Sequence, residues 1–139
     1  DFSNISFYLS LHYKNVKIVN EALATMLKDR LGDKIRIITD REVSLPYILN
    51  ISFAPLRAEV VLHSLESKNV FVSVGSACSS NKKSRSPVLT AMGVDVKTID
   101  GAVRFSFSRF TTEDDIKLAY EAICKTVKEL KSERFKRKV

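Results

Sequence analysis

A cysteine in a loop of small polar residues is the first candidate for chemistry in this sequence. Cys78 follows an apolar segment, and its neighbours are Gly75, Ser76, Ala77, Ser79 and Ser80. Small side chains and a glycine leave the thiol reachable and the backbone free to move. The cations that follow, Lys82, Lys83 and Arg85, would favour the thiolate, which is the nucleophilic form. From the loop alone, a cysteine without any role stays an open alternative.

An arginine inside a strand-like segment is the second candidate. Residues 102–107 alternate, so that Arg104 and Ser106 share one face while the valine and phenylalanines share the other. A guanidinium held in this way matches a planar anion through two parallel hydrogen bonds. A solvated arginine, or one paired with Asp or Glu, is the alternative that stays open. A mobile thiol and a fixed guanidinium together suggest sulfur chemistry on a substrate that carries a carboxylate.

The other reactive residue types carry weaker signals. Cys124 falls on the apolar stripe of a predicted helix, where a small buried hydrophobe is expected. His12 and His63 have no cysteine or histidine at the spacing of metal ligands, so we predict no metal site. The chain contains four glycines and no glycine-rich phosphate loop.

Length and composition are those of a globular protein with one core. The chain has 139 residues, of which 45% are hydrophobic and 28% are charged, which predicts a single domain over residues 1–139. No apolar run approaches the ~20 residues that a membrane span needs. The first residues lack the basic start of a secretory signal. We therefore expect a cytoplasmic protein with no membrane partner.

The net charge of +7 is concentrated near the C-terminus. A basic tail attracts RNA or acidic proteins, but a solvated helix end is the simpler explanation, since cations also favour that end of the helix dipole. Modules that bind single strands combine their cations with aromatic side chains, and the tail offers only Phe135. We therefore rank an RNA-binding module last and expect no direct nucleic-acid binding.

Apolar periodicity predicts the order helix, strand, strand, helix, strand, loop, helix, strand, helix. The predicted strands cover residues 35–38, 47–53, 70–74 and 102–107. The predicted helices are residues 13–31 before Gly32, a stretch from Ala58 closed by Asn69, a stretch from Ser86 to Gly93, and a long one capped by Thr112. Residues 1–11 either extend the first helix or form a lead-in segment. We expect an α/β (α+β) fold with a small mixed sheet of about four strands covered by helices.

Three motifs stand out in the second half of the chain, namely Ser-Val-Gly-Ser-Ala-Cys-Ser-Ser at 73–80, Ser-Pro-Val-Leu-Thr-Ala-Met-Gly at 86–93, and Gly-Ala-Val-Arg-Phe-Ser-Phe-Ser-Arg-Phe-Thr-Thr-Glu at 101–113. Together they resemble the C-terminal part of the cysteine desulfurases, which are pyridoxal-phosphate enzymes of the aminotransferase-like superfamily. Residues 44–53 also look like the small domain of that family. The similarity spans roughly residues 40–130 in the family's order, and the combination is highly specific.

The resemblance implies a function for both candidates. Cys78 would be the nucleophile that takes sulfur from L-cysteine as a persulfide and leaves L-alanine, and Arg104 would hold the substrate carboxylate. The spacing from Cys78 to Ser86 resembles the spacing found in one branch of the family, in which a long mobile loop delivers sulfur to partner proteins. Those acceptors would be iron–sulfur scaffolds or tRNA-thiolating enzymes, and the whole enzyme would be a homodimer.

Two departures from the family pattern limit what the resemblance implies. Val74 stands where the family often has serine or threonine, which is a small change. The family's cofactor lysine follows a histidine, whereas here Tyr13 follows His12 and Ser64 follows His63. We therefore expect a small C-terminal domain without the large cofactor domain, with no cofactor-binding residue and no turnover of its own. The alternative is a free-standing persulfide carrier or basic interaction module.

Overall fold

The computed structural model describes residues 2–38, 47–74, 87–108 and 110–138, and side chains within residues 15–132 of those ranges except 87 and 88. The helices are α1 (Phe2–Leu31), α2 (Ala58–Glu66), α3 (Pro87–Ala91), α4 (Val96–Asp100) and α5 (Glu113–Lys138), and a 3₁₀ turn covers Gly32–Lys34. The strands are β1 (Arg36–Ile37), β2 (Ile48–Ser52) and β3 (Ala102–Ser106). No helix in these ranges is long and apolar enough to cross a membrane.

The strands form one antiparallel sheet in the order β1-β2-β3. The predicted α/β (α+β) fold, a small sheet covered by helices, is confirmed, and the sheet of the described residues differs in two details from the expected mixed sheet of about four strands. Every ladder is antiparallel, and the predicted strand 70–74 contributes only an isolated bridge between Ser73 and Arg104. The start of that segment closes α2 instead, because Val70 donates its backbone N–H to the Leu65 carbonyl at 2.9 Å. Only Ser73 is left to reach β3.

One face of the sheet lies against the main core. Leu49, Ile51, Val103 and Phe105 are all buried on this face. Three helices supply the opposing side chains, which are Val16, Leu23 and Leu27 of α1, Val61 and Leu65 of α2, and Ile116, Ile123 and Val127 of α5. The helical stripes predicted for these segments are confirmed, and α1 also includes the unassigned residues 2–11. Gly32, with a φ of 51°, ends α1 as predicted.

Side-chain caps fix where helices α4 and α5 begin. Thr112 Oγ1 accepts from the Asp115 N–H at 3.1 Å, and Asp115 Oδ2 accepts from the Thr112 N–H at 2.9 Å, which confirms Thr112 as the cap of α5. Helix α4 was not predicted from the sequence, because its five residues are too few to show a helical period. Its cap is Asp95, and hydrogen bonds from the Thr98 side chain and backbone lower the Asp95 pKa.

A second, smaller core covers one end of the other sheet face. It consists of Ile38, Leu89, Ile99 and Ala102, with Val94 packed against it. Ser52 ties this region to the sheet because its hydroxyl donates to the Thr98 carbonyl at 2.7 Å. The rest of this face, from residue 104 of β3 onward, carries exposed side chains.

Gly101 sets the corner between α4 and β3. The Gly101 carbonyl accepts from the Phe53 N–H at 2.8 Å, so the glycine backbone lies directly against the chain after β2. A Cβ at this position would lie 2.6 Å from the Ala54 nitrogen and 2.9 Å from the Leu56 oxygen. Both are backbone atoms, which cannot rotate away. The corner therefore fixes where β3 begins and which of its side chains face outward.

We predict that Gly101→Ala lowers the free energy of unfolding by about 1–3 kcal/mol, because the added methyl group forces the two backbone segments apart. Urea unfolding monitored by circular dichroism measures this change. Lys97→Ala, an exposed change on α4, is the control and should stay within about 0.5 kcal/mol of the parent chain. Equal stability of Gly101→Ala and the parent chain would show that the corner is not tight.

Candidate active site

Arg104 lies in the middle of β3 and points away from the main core. The neighbours Val103 and Phe105 are buried, whereas Arg104 and Ser106 are exposed. This is the alternation that the sequence predicts. Two buried side chains therefore hold the strand while the guanidinium projects from the opposite face. Truncation of Arg104 would open no core cavity.

The backbone of Arg104 is bound to the segment that leads into the cysteine loop. The Arg104 N–H donates to the Ser73 carbonyl at 2.7 Å, and the Ser73 N–H donates to the Arg104 carbonyl at 3.1 Å. Ser73 is followed by Val74, which is buried in the main core. Cys78 comes five residues after Ser73 in sequence. A tether of that length spans at most about 18 Å when fully extended.

Arg104 also has a cross-strand neighbour on β2. Asn50 is its direct partner in the register and is half-buried. Asn50, Arg104 and Ser73 thus form a row across three neighbouring segments, with side chains on one face of the sheet. Neither Asn50 nor Ser73 was predicted from the sequence to be a site residue. Alternation places Asn50 on the polar face of its strand, but only the register shows that it lies beside Arg104.

The Arg104 guanidinium has no acidic partner among the residues that the structure describes. The salt bridges in those ranges are Arg36–Asp95, His63–Glu66 and Lys68–Glu129. The alternative in which Arg104 serves in a structural ion pair is therefore not realised within the described part of the chain. An exposed guanidinium without a carboxylate partner is free to bind an anion from solution.

The predicted nucleophile and its loop lie outside the described residues. This applies to Cys78 and to the loop residues Gly75, Ser76, Ala77, Ser79 and Ser80. Their roles stay predictions. The described residues fix one end of that loop at Val74 and place Arg104 beside that end.

The second cysteine has a structural environment. Cys124 on α5 packs against the main core, as expected for a small hydrophobic residue, but it is half-buried and not fully buried. Burial raises the pKa of its thiol, and the Arg30 charge and a hydrogen bond with Tyr120 offset this only in part. A thiol with a raised pKa is a poor nucleophile at neutral pH.

Other polar side chains of α2 either contact a neighbour on the same helix or connect α2 to α5. His63 is exposed on α2 and lies 3.7 Å from Glu66. Ser64 and Thr126 share a hydrogen bond of 3.0 Å between α2 and α5, and Lys68 donates to Ser64 Oγ at 2.8 Å. Within the described ranges, no group of three or more His, Cys, Asp or Glu side chains could hold a metal ion.

The chain is similar to known proteins in both sequence and structure. A family model described as aminotransferase class-V matches residues 3–118. The chain is 41% identical over 114 residues to cysteine desulfurase IscS of Vibrio campbellii, covering 78% of this chain and 28% of that protein. It is 35% identical over 120 residues to cysteine desulfurase IscS of Pseudomonas entomophila, covering 85% and 29% of the two proteins.

Solved structures give the same result. A NifS-like protein matches with a TM-score of 0.71 and 29% identity, covering 88% of this chain and 29% of that one. A NifS-like protein from Rickettsia africae matches with a TM-score of 0.68 and 27% identity, covering 82% and 28%. The chain therefore spans less than a third of the length of these relatives.

We predict that a limiting amount of alkylating reagent labels Cys78 before Cys124 in the folded chain at neutral pH. The raised pKa keeps the Cys124 thiol protonated, so its labelling should begin at a more alkaline pH than that of an ordinary cysteine. Peptide mapping by mass spectrometry at several pH values measures both sites. Unfolding in urea should remove the difference, and preferential labelling of Cys124 in the folded chain would contradict the assignment.

Proposed function

The chain belongs to the aminotransferase class-V family, and from this premise we propose that it is the sulfur-accepting small domain of a cysteine desulfurase. Two relatives from different bacteria carry that name, at 41% and 35% identity. Because the chain spans less than a third of their length, the activity belongs to a larger protein. We propose that residues 1–139 form one domain of it.

The observation that carries this proposal is the double hydrogen bond between Arg104 and Ser73. It fixes the guanidinium beside the start of the cysteine loop. Sulfur transfer from an amino acid needs an anchor for the carboxylate and a thiol that can reach the side-chain sulfur. Arg104 supplies an anchor on a strand, and Cys78 supplies a thiol on a short tether from the segment that is hydrogen-bonded to that strand.

In the proposed reaction, the Cys78 thiolate attacks the sulfur atom of L-cysteine. A sulfur–sulfur bond forms and the carbon–sulfur bond of the substrate breaks. The electron pair of that bond stays with carbon, which takes up a proton, so that L-alanine is released and Cys78 is left as a persulfide. Sulfur is oxidised as carbon is reduced, and no external oxidant is consumed.

Each part of this chain has a defined task in that reaction. The guanidinium fork binds both oxygens of the carboxylate, which orients the amino acid along the sheet face. The buried side chains on either side of Arg104 hold the strand from which the fork projects. The serines, alanine and glycine around Cys78 let the thiol approach the substrate sulfur and later carry the persulfide away.

The residues of this chain do not fit a binding site for pyridoxal phosphate, which serves enzymes of this superfamily as an electron sink. No lysine follows a histidine in the sequence, and His63 lies exposed on α2 beside Glu66. We propose that the cofactor is held by residues in the portion of the relatives that this chain does not span, and that none is bound by this chain alone.

We also propose the setting in which the persulfide is used. Acceptor proteins would take the sulfur from Cys78 for iron–sulfur clusters or thiolated tRNA. The complete enzyme would be a homodimer in the cytoplasm. The long spacing between Cys78 and Ser86 supports delivery to a separate protein, because it gives the thiol reach beyond the substrate site.

We predict that Arg104→Ala in the complete enzyme lowers kcat/KM for L-cysteine by roughly 30- to 1000-fold, on the order of 2–4 kcal/mol. Arg104→Lys should recover only part of this loss, because an ammonium group cannot reproduce the two-pronged contact. Steady-state kinetics with alanine as the measured product tests both variants.

Two controls separate a binding defect from a folding defect. Arg57→Ala removes another exposed arginine and should leave kcat/KM unchanged. The melting temperature of Arg104→Ala should match that of the parent, since no buried atom is lost. Near-normal activity of Arg104→Ala, or its failure to fold, would show that the arginine is structural.

We predict that pyridoxal phosphate forms no site-specific adduct with this chain alone. The reason is the missing histidine–lysine pair. Mixing the chain with the cofactor, reducing with borohydride and weighing the product by mass spectrometry tests this. A stoichiometric adduct at one lysine would contradict the prediction and place a cofactor site within these residues.

A further inference from the structure

The row across the sheet contains a polar side chain that the proposed reaction does not yet use. Asn50 on β2 is the register partner of Arg104. Residues that face each other in an antiparallel pair point to the same side of the sheet. The Asn50 amide therefore lies on the face that carries the guanidinium.

The backbone hydrogen bonds of the two strands show which type of register pair Asn50 and Arg104 form, and the pair type sets the distance between their Cα atoms. Arg104 directs both of its backbone hydrogen bonds toward Ser73, and the Asn50 carbonyl accepts from the Ile38 N–H at 2.8 Å on the opposite side. Asn50 and Arg104 are thus a non-hydrogen-bonded pair. In such pairs the Cα atoms are about 4.5 Å apart, which is the closest spacing that neighbouring strands adopt.

The Asn50 amide has no assigned partner within the described residues. Its side chain is half-buried, and none of the hydrogen bonds found in those ranges involves it. Ser52, the next residue on this face, donates to the Thr98 carbonyl at 2.7 Å and is committed to the second core. A half-buried amide beside an uncompensated guanidinium gains most from a ligand that accepts hydrogen bonds.

We propose that Asn50 is a second binding residue for the substrate carboxylate. Its Nδ2 donates to a lone pair of the carboxylate that the Arg104 fork leaves open. A carboxylate has about four acceptor positions, and a bidentate guanidinium fills two of them. This inference rests on the proposed function, because it deepens the role of the same site. It makes recognition of the carboxylate depend on two strands instead of one.

The competing role for Asn50 is to orient Arg104 through its side-chain oxygen, Oδ1. Replacement by aspartate separates the two roles. Asn50→Asp keeps an oxygen that accepts from the guanidinium but removes the donor and adds a negative charge beside the bound carboxylate. If Asn50 donates to the substrate, kcat/KM should fall further in Asn50→Asp than in Asn50→Ala. If Asn50 instead orients Arg104 as an acceptor, kcat/KM should fall less in Asn50→Asp than in Asn50→Ala.

The experiment measures kcat/KM for L-cysteine in the complete enzyme for Asn50→Ala, Asn50→Asp, Arg104→Ala and the double variant with both alanines. We expect roughly a 10- to 100-fold loss for Asn50→Ala, as for a hydrogen bond to a charged group, and a larger loss for Asn50→Asp. The double variant should lose less than the product of the two single losses, since both residues bind one carboxylate. Asn15→Ala, at an exposed position on α1, is the matched amide control.

A binding readout on this chain supplements the kinetics. Titration with sodium acetate should shift the side-chain N–H signals of both Asn50 and Arg104 in ¹⁵N-resolved spectra, while sodium chloride at equal ionic strength should not. Melting temperatures of the Asn50 variants should match the parent, because the amide has no hydrogen bond to lose within the part of the chain that the structure describes.

The outcomes separate the inference from its premise. If Arg104→Ala loses activity while both Asn50 variants keep it, the Asn50 role is overturned and the proposed function stands. If Asn50→Asp is more active than Asn50→Ala, Asn50 orients the arginine and the inference is overturned. If no variant, Arg104→Ala included, changes turnover of L-cysteine, the proposed function itself fails.

Discussion

The placement of β3 between β2 and Ser73 is the constraint on which the rest of the site depends. Val103 and Phe105 are buried in the main core, so strand alternation turns Arg104 to the opposite face. Its backbone hydrogen bonds then attach the segment that leads into the cysteine loop. One strand thus fixes both the direction of the guanidinium and the origin of the tether. A shift of β3 by one residue would bury the arginine and expose the core.

The two faces of the sheet differ in how far apolar side chains cover them. The inner face holds three helices through apolar contacts, while the second core covers only one end of the outer face. Gly101 lies at the covered end, directly before Ala102 of the second core, and the exposed positions of β3 begin at Arg104. The described part of the chain therefore presents a polar sheet surface backed by an apolar core.

The two cysteines differ in the sequence that surrounds them, and this difference underlies the different roles proposed for them. Cys124 lies on a helix stripe, where burial raises its pKa. Cys78 stands in a loop of small residues followed by cations, which the sequence alone associates with reactivity. The pattern that predicted Cys124 as part of the core was helical periodicity, and the structure confirms its packing.

Long periodic segments and strand alternation were predictable from the sequence, while features that depend on pairing were not. The stripes of α1 and α5, the Thr112 cap and the outward direction of Arg104 follow from residue order alone. The segment 70–74 has the composition of a strand, but closure of α2 at Val70 leaves it one bridge. Asn50 was on the correct face in the sequence pattern, yet its position beside Arg104 depends on the register of β2 with β3.

The central claim is that this domain carries the sulfur-accepting thiol, and isotope mapping tests it most directly. The complete enzyme is given L-cysteine with labelled sulfur, the thiols are trapped with an alkylating reagent, and the peptides are mapped by mass spectrometry. The account predicts one labelled sulfur atom on Cys78, none on Cys124, and an equal amount of alanine. Label on Cys124, or alanine formation without label on this chain, would contradict it.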